Sequence, residues 1–208
     1  MNRIRPCTLI HILKYSSTNS KRLKETPELY TTVVKPYIES IPKNRTSWIA
    51  NLFNGVSEQE SILYKESDPL SGFLILPDSK WDKVSVNQLY LLVITENVDI
   101  KSLRDLNDTH ILLLQQIQAK TLAVLKEKYG IGWEDVRLFV HYQPSYYQFH
   151  IHVVHSQIQG LDGAQVGQAH LLEDIIDNIN LDKDYYKKKT LSYFLSTNHP
   201  LFTLLQNE

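Results

Sequence analysis

The sequence contains a single cysteine, Cys7, and its positive and negative charges nearly cancel. One cysteine excludes an intramolecular disulfide and a cysteine-rich zinc module, and it fits a reducing compartment. A formal net charge of -1 and an isoelectric point near 6.7 exclude a strong overall attraction to nucleic acid or to acidic membranes. Any chemistry on phosphate groups therefore depends on a small, locally charged site.

Long apolar stretches are also absent. The longest, such as residues 89–94, are far shorter than the roughly 20 residues that cross a bilayer, so we expect no membrane span. The sequence shows no internal repeat and no low-complexity segment. The glycine-containing loop at residues 160–167 matches neither a P-loop nor a dinucleotide-binding fingerprint, which removes it as a phosphate motif.

Acidic residues are missing from the first 24 positions, which carry six basic residues. We interpret residues 1–24 as a basic N-terminal linker, although the same composition is typical of a mitochondrial transit peptide. We expect residues 25–208 to form one domain, because their number suits a single core and the chain is 42% hydrophobic. The expected location is the cytoplasm.

Apolar spacing and turn residues predict an α+β domain. Helices are predicted over residues 26–41, 108–130, 169–179 and 200–205. Pro36 should bend or break the first of them, and Gly130 should cap the second. Strands are predicted at residues 47–53, 61–65, 72–76, 90–95, 136–142, 147–154 and 190–195. We expect the first four strands to form an antiparallel meander.

Half of the eight histidines fall in one stretch, HYQPSYYQFHIHVVH at residues 141–155. In its second half polar and apolar residues alternate, which places Gln148, His150 and His152 on one face of a strand at intervals of roughly 6 to 7 Å. Imidazole is a nucleophile near neutral pH, and its attack on phosphorus would form a phosphohistidine that water can hydrolyse. His150 is the central candidate nucleophile, and His152 and Ser145 are candidates for holding phosphate oxygens and protonating the leaving group.

Other interpretations of these residues stay open. Two strand histidines separated by one residue are often partly exposed and have no function. They can also share a zinc ion, although no third protein ligand lies nearby in the sequence. We expect His155, on the apolar face, to be a core or edge histidine with a satisfied hydrogen bond.

The stretch HYQPSYYQFHIHVV resembles the histidine-triad motif (His, apolar, His, apolar, His, two apolar) in the form found in scavenger mRNA decapping enzymes. The resemblance runs from about Lys14 to the C-terminus. Four more segments are similar to that family in the same order: a Trp48-Ile49-Ala50-Asn51 strand, GFLILPDSKWD at 72–82, IKSLRDL at 100–106 and QAHLLEDIID at 168–177. The resemblance implies an α+β histidine-triad fold, in which helices flank an antiparallel sheet. It also implies hydrolysis, without a metal or other cofactor, of residual 7-methylguanosine caps left after mRNA decay, which releases 7-methylguanosine monophosphate.

Carried over position by position, the resemblance implies a set of site residues. His150 is then the nucleophile that attacks the phosphate next to 7-methylguanosine. Trp48 stacks on the base and Glu58 reads it: methylation makes guanine cationic, so the indole gains a cation–π attraction while the carboxylate accepts from guanine N1 and N2. The implied phosphate, ribose and nucleotide contacts are Lys14, Asp78, Lys80, Tyr90, Ser145, Tyr146, Gln148 and His152.

Three features depart from the family pattern. Gln148 stands in place of the first triad histidine and can donate a hydrogen bond but carries no charge. Gln168 stands where the family has an arginine, which removes one phosphate clamp. The matched region begins close to Met1, so we expect the N-terminal domain that the family swaps between subunits and folds over the cap to be absent. We predict slowed rather than absent catalysis.

The resemblance implies partners and leaves two alternatives. The implied partners are a methylated cap nucleotide or short capped RNA, and a second copy of the chain in a homodimer, or an active paralogue in a heterodimer; no membrane is involved. The implied location is the cytoplasm, extending to the nucleus. One alternative is a non-catalytic cap-binding paralogue or regulatory subunit. The other is a generic nucleotide hydrolase of the wider superfamily, against which Trp48 and Glu58 argue.

Overall fold

The computed structural model describes residues 19–161 and 163–206. The strands are β1 (Ser20–Glu25), β2 (Tyr64–Glu66), β3 (Phe73–Pro77), β4 (Tyr90–Thr95), β5 (Val136–His141), β6 (His150–His155), β7 (Ala169–Leu171) and β8 (Leu191–Ser196). The main helices are α1 (27–40), α2 (Ser47–Phe53), α3 (Ile111–Tyr129), α4 (Leu172–Leu181), α5 (Tyr185–Lys188) and α6 (Pro200–Gln206). This arrangement confirms the predicted α+β class.

Six strands form the main sheet in the order β2-β3-β4-β6-β5-β7, and every neighbouring pair is antiparallel. Strands β2, β3 and β4 confirm three members of the predicted meander. The remaining two strands, β1 and β8, pair in a separate antiparallel sheet. Residues 20–24, which we interpreted as linker, are therefore part of a strand, and residues 1–18 lie outside the described ranges.

The two faces of the main sheet pack against different helices. On one face Ile94 lies opposite His150 in the register of β4 and β6, so the two side chains point the same way. Helix α2 covers part of this face, where Ile49 and Leu52 pack with Ile94. The opposite face carries Ile151, which lies between His150 and His152 in the sequence. This face forms the large core with α3 and α4. The histidine row therefore shares its face with α2.

Helix α1 passes through Pro36 without breaking. It comprises Pro27–Leu29, the π-helical Tyr30–Val34 and Lys35–Ser40, and Thr26 caps its start by accepting from the Leu29 N–H at 3.2 Å. Proline clashes with the carbonyl four residues before it and has no N–H to donate. The wider π turn lies just before Pro36, so the predicted disturbance takes the form of a bulge instead of a break.

Helix α2 corrects the sequence interpretation of residues 47–53, for which the predicted strand was wrong. Ile49 and Leu52 are each 1% exposed and lie three positions apart, which is helical spacing and not strand alternation. A run of seven partly apolar residues does not by itself distinguish the two periods. Trp48 consequently projects from a helix.

Other boundaries moved by a few residues. The predicted helix at 169–179 begins as the short strand β7, and α4 starts only at Leu172. The long helix ends at Gly130 in a left-handed conformation as predicted, but its first turn is a 3₁₀ turn capped by Asn107. Among the described residues, no helix is long and apolar enough to cross a membrane.

Candidate active site

His150 begins strand β6 and is 2% exposed. Its Nδ1 lies 2.8 Å from the backbone oxygen of Gln148. Because a carbonyl oxygen only accepts hydrogen bonds, Nδ1 carries the proton and Nε2 keeps its lone pair. Within the described part of the chain, Nε2 is buried and has no hydrogen-bond partner. This is the tautomer that a nucleophilic Nε2 requires.

His152 lies two positions along the same face and is 5% exposed. Its Nδ1 is 2.8 Å from the hydroxyl of Tyr90, and its Nε2 is buried without a partner among the described residues. Burial raises the pKa of Tyr90, so that hydroxyl stays protonated. The rings of His150 and His152 are 5.1 Å apart and nearly perpendicular, at 77°. The pair thus offers two unpartnered Nε2 atoms.

A third imidazole, His141 at the end of β5, belongs to the same cluster and was missed by the sequence analysis. Its ring lies 4.1 Å from that of His152. Gly163 covers it, because a Cβ there would lie 2.6 Å from His141 Cε1, and its φ of +89° also favours glycine. The signal for His141 is the hairpin register: Phe139 pairs with His152, which places position 141 beside His150.

Burial makes all three imidazoles weak bases. It is the main cause that lowers the pKa from 6.5 to about 4 in His150, to about 4 in His141 and to about 2 in His152. The other two histidines and Lys80 lower the pKa of His152 further. In the described residues, no three His, Cys, Asp or Glu side chains are arranged to bind one metal ion. With these lowered pKa values the three imidazoles are neutral at pH 7, and each keeps one unprotonated ring nitrogen.

The turn before β6 brings further predicted residues to His150. Tyr146 stacks on His150 with ring centroids 4.1 Å apart and planes at 19°. Gln148 is 5% exposed and donates from Nε2 to the backbone oxygen of Thr95 at 2.7 Å, while Ser145 is exposed at the turn. Tyr146 therefore covers one face of the His150 ring in this conformation.

Trp48 lies at the start of α2, 39% exposed, with its ring edge-on to Tyr146 at 5.4 Å. A cleft of about 1160 Å³ opens beside them and is lined in part by Trp48, Ser145, Tyr146 and Gln148. Tyr146 separates this cleft from the histidine cluster, because it lines the one and stacks on the other. A half-exposed indole beside a cleft of this size has room to stack a nucleobase.

Asp78 and Lys80 lie on the connection between β3 and β4. Asp78 is 8% exposed, and its Oδ1 accepts from the backbone N–H of Lys80 at 2.8 Å, which orders the turn. The ammonium of Lys80 lies 5.3 Å from the centre of the Tyr90 ring. Lys80 therefore brings a positive charge to a cluster whose imidazoles are neutral.

Among the described residues, the structure gathers most of the predicted site residues and leaves Glu58 apart. Those around the cluster and the cleft are Trp48, Asp78, Lys80, Tyr90, Ser145, Tyr146, Gln148, His150 and His152. Glu58 is exposed beyond α2, does not line the cleft and has a left-handed φ of 51°. Lys14 lies outside the described residues. The roles of all these residues stay predictions.

His155 meets the expectation for a structural histidine. It is 7% exposed, and its Nδ1 accepts from the backbone N–H of Gln157 at 3.2 Å. The three histidines of the cluster each have a buried Nε2 without a hydrogen-bond partner in the described residues, whereas His155 has no such nitrogen.

Comparisons with known proteins agree with this geometry. The family model described as "Scavenger mRNA decapping enzyme C-term binding" matches residues 47–167, a region that contains all three clustered histidines and Trp48. The chain is 37% identical to the m7GpppX diphosphatase of Schizosaccharomyces pombe over 202 residues, which cover 97% of this chain and 66% of that protein.

Two further relatives have the same printed name. The m7GpppX diphosphatase of Ascaris suum is 36% identical over 201 residues, covering 96% of this chain and 65% of that protein. That of Mus musculus is 34% identical over 201 residues, covering 97% of this chain and 59% of that protein. The chain thus spans between 59% and 66% of the length of these three relatives. Because the family model matches more than half of its residues, the chain belongs to the scavenger mRNA decapping enzyme family.

Proposed function

We propose that this chain hydrolyses 7-methylguanosine cap dinucleotides and short capped oligonucleotides through a phosphohistidine on His150. The observation that carries the proposal is the proton position on His150: Nδ1 donates to the Gln148 oxygen, which leaves Nε2 unprotonated, buried and, in the described residues, unpartnered. A buried nitrogen without a partner destabilises a purely structural histidine. In a nucleophile the same nitrogen is the reacting atom.

The reaction has two steps. In the first, the Nε2 lone pair attacks the phosphorus bonded to 7-methylguanosine, and the bond from that phosphorus to the bridging oxygen breaks. The nucleoside diphosphate, or the diphosphate end of the oligonucleotide, leaves with that oxygen and takes up a proton. In the second, water attacks the phosphohistidine and loses a proton to solvent. Release of 7-methylguanosine monophosphate then restores the free Nε2.

Three groups are proposed to stabilise the phosphate charge. Lys80 supplies a cation close to the cluster, as its effect on the pKa of His152 indicates. When the Tyr90 hydroxyl donates to Nδ1 of His152, the proton of that imidazole sits on Nε2 and can bond a phosphate oxygen. The Tyr146 hydroxyl, also buried and without a partner in the described part of the chain, is a further donor once its ring moves.

Recognition of the methylated base is assigned to Trp48 and Glu58. Trp48 borders the cleft with a half-exposed indole, and a cationic base gains more from its face than a neutral base does. Glu58 follows α2 on an exposed loop and is proposed to accept from guanine N1 and N2. A non-glycine residue with positive φ carries strain that is tolerated most often at binding sites.

The relatives support the same substrate class, since all three are named m7GpppX diphosphatases. The test is to incubate the purified chain with a methylated cap dinucleotide and with its unmethylated analogue, and to separate the products. We expect 7-methylguanosine monophosphate and a nucleoside diphosphate from the first and much slower cleavage of the second. Equal cleavage of the two dinucleotides would show that the chain is a generic nucleotide hydrolase and is not specific for methylated caps. Binding without cleavage would make the chain a non-catalytic cap-binding protein.

A further inference from the structure

The carboxylate of Glu25, at the end of β1, is completely buried and surrounded by donors. Arg104 approaches its Oε1 from Nε at 2.8 Å and from Nη2 at 2.7 Å. Tyr142 donates to Oε1 at 2.6 Å, while Gln143 and Tyr193 donate to Oε2 at 2.9 and 2.8 Å. A carboxylate has about four lone-pair sites, so both oxygens are saturated. Glu25 therefore has no free capacity for a ligand and acts within the protein.

A buried ion pair is an inefficient way to stabilise a fold. Replacing a buried ion pair by apolar residues of similar volume is often neutral or stabilising, and in some proteins such a pair serves to fix one conformation among several. Arg104 is 2% exposed, and its Nη1 also donates to the backbone oxygens of Tyr186 and Lys189 at 2.6 and 2.7 Å. The guanidinium is thus held rigidly from the core side, and its partner carboxylate is fixed with it.

The network holds the turn before β6 at both ends. Tyr142 and Gln143, which bond Glu25, are the first residues of that turn. At its other end the Tyr147 hydroxyl donates to Oε1 of Gln143 at 3.1 Å. Pro144, Ser145 and Tyr146 lie between these fixed points. Hydrogen bonds to the two Glu25 oxygens and to the Gln143 amide therefore fix the positions of Ser145 and Tyr146.

The same turn sets the proton on the proposed nucleophile. Its last residue, Gln148, provides the backbone oxygen that accepts the Nδ1 proton of His150 at 2.8 Å, and Tyr146 stacks on the same ring at 4.1 Å. A shift of the turn lengthens the bond to Nδ1 and lets the proton move to Nε2, which removes the lone pair. We propose that Glu25 and Arg104 are positioning residues that hold His150 in its reactive tautomer through the turn. The effect on catalysis rests on the proposed function, whereas the effect on the His150 tautomer does not.

The experiment compares Tyr147→Phe, Tyr142→Phe and Glu25→Gln with the wild-type chain. Nitrogen NMR of ¹⁵N-histidine-labelled protein reports which ring nitrogen of His150 is protonated, and His150→Asn assigns the signal. In the wild type we expect His150 to be in the Nδ1–H tautomer. In each variant we expect a larger fraction of His150 to carry its proton on Nε2. For cap hydrolysis we expect kcat to fall by up to about 100-fold with KM nearly unchanged, because a displaced reacting group lowers rate more than binding.

Tyr186→Phe is the matched control, since Tyr186 is a buried tyrosine whose hydroxyl bonds Asn178 and not the turn. It should leave the tautomer and kcat unchanged. If the two tyrosine variants near the turn fold normally and keep wild-type tautomer ratios, the inference is wrong, and this holds even where Glu25→Gln fails to fold. A wild type that does not cleave caps, but whose variants still lose the Nδ1–H tautomer, would overturn the proposed function and retain the positioning role.

Discussion

The environment of His150 lowers its affinity for protons while leaving its lone pair free. Burial removes the water that would stabilise an imidazolium, and the Gln148 oxygen fixes the remaining proton on Nδ1. In the proposed reaction, His150 therefore needs no separate base to be reactive at neutral pH. Single substitutions at this scale test the proton position and the charge around it.

Replacing His150 by Asn should lower turnover of a methylated cap dinucleotide by at least about 1000-fold, because the amide has no nucleophilic nitrogen. Affinity for the cap should change by less than about threefold, since His150 does not contact the base in the proposed complex. Product separation measures the first quantity and fluorescence titration the second. His155→Asn, which alters a buried histidine outside the cluster, is the control and should keep its activity.

Gln148→His should raise the single-turnover rate. One N–H of the present amide is committed to the Thr95 oxygen, and the amide offers the phosphate only a neutral dipole. Losing an oxyanion donor entirely costs about 100- to 1000-fold in rate, so restoring a chargeable one should gain less than that. Affinity for 7-methylguanosine itself should not change. Gln157→His, on an exposed residue after β6, controls for a histidine added elsewhere, and an equal rate in the wild type and Gln148→His would contradict the charge argument.

The sequence predicted both strands of the cluster but missed that His141 of β5 joins the histidines of β6. His150 and His152 were found because alternation along a single strand puts them on one face. His141 depends on which strands pair and in which register, and that is decided by the hairpin turn and by packing over the whole sheet. The same limit applies to Gln148, whose bond to Thr95 joins residues 53 positions apart in the sequence.

At the scale of elements, α2 places Trp48 beside the turn that precedes the histidine strand. Its buried residues Ile49 and Leu52 press it onto the histidine face of the sheet, and its exposed side carries Trp48 beside Tyr146. The sequence favoured a strand here because the apolar run is too short to show its period. Two other elements were easier. Strand β4 has the predicted bounds, and the 19-residue helix α3 ends at the predicted glycine, because it repeats its pattern over about five turns and its C-cap has a left-handed φ.

Truncating Trp48 to Ala should weaken binding of a methylated cap by about 1 to 2 kcal/mol and of an unmethylated cap by less, because only the methylated base is a cation. The two affinities can be measured by calorimetric titration. Trp133→Ala is a close control, since Trp133 is 40% exposed, against 39% for Trp48, and lies outside the cleft. Equal losses for the two caps in Trp48→Ala would show that the indole does not read the positive charge.

The buried histidines also act on the stability of the whole molecule. Their pKa values are lowered from 6.5 in the unfolded chain to about 4 or less in the fold, so between these values the unfolded state binds more protons. The stability of the fold with these histidines neutral is therefore fully present above pH 6.5, and it is lost as the pH falls toward 4. Each such group can lower the free energy of unfolding by about 1.4 kcal/mol per pH unit in that window.

Acidification from pH 7 to pH 5 should accordingly lower the melting temperature of the wild-type chain. The decrease should be smaller in His150→Asn, which removes one of the three groups, and unchanged in the exposed-residue variant Gln157→His. Thermal unfolding followed by circular dichroism at a series of pH values measures this. A variant curve parallel to that of the wild type would mean that His150 is not held neutral in the fold.

The proposed reaction requires a covalent bond between His150 and phosphorus. It is tested most directly by rapid quenching of the chain with a methylated cap dinucleotide that is radiolabelled at the phosphate next to 7-methylguanosine, in the presence of a metal chelator. Label attached to wild-type protein, stable in alkali, lost in acid and absent from His150→Asn, is the predicted result. Turnover without any protein-bound label in single-turnover samples, or the same label on His150→Asn, would contradict the account.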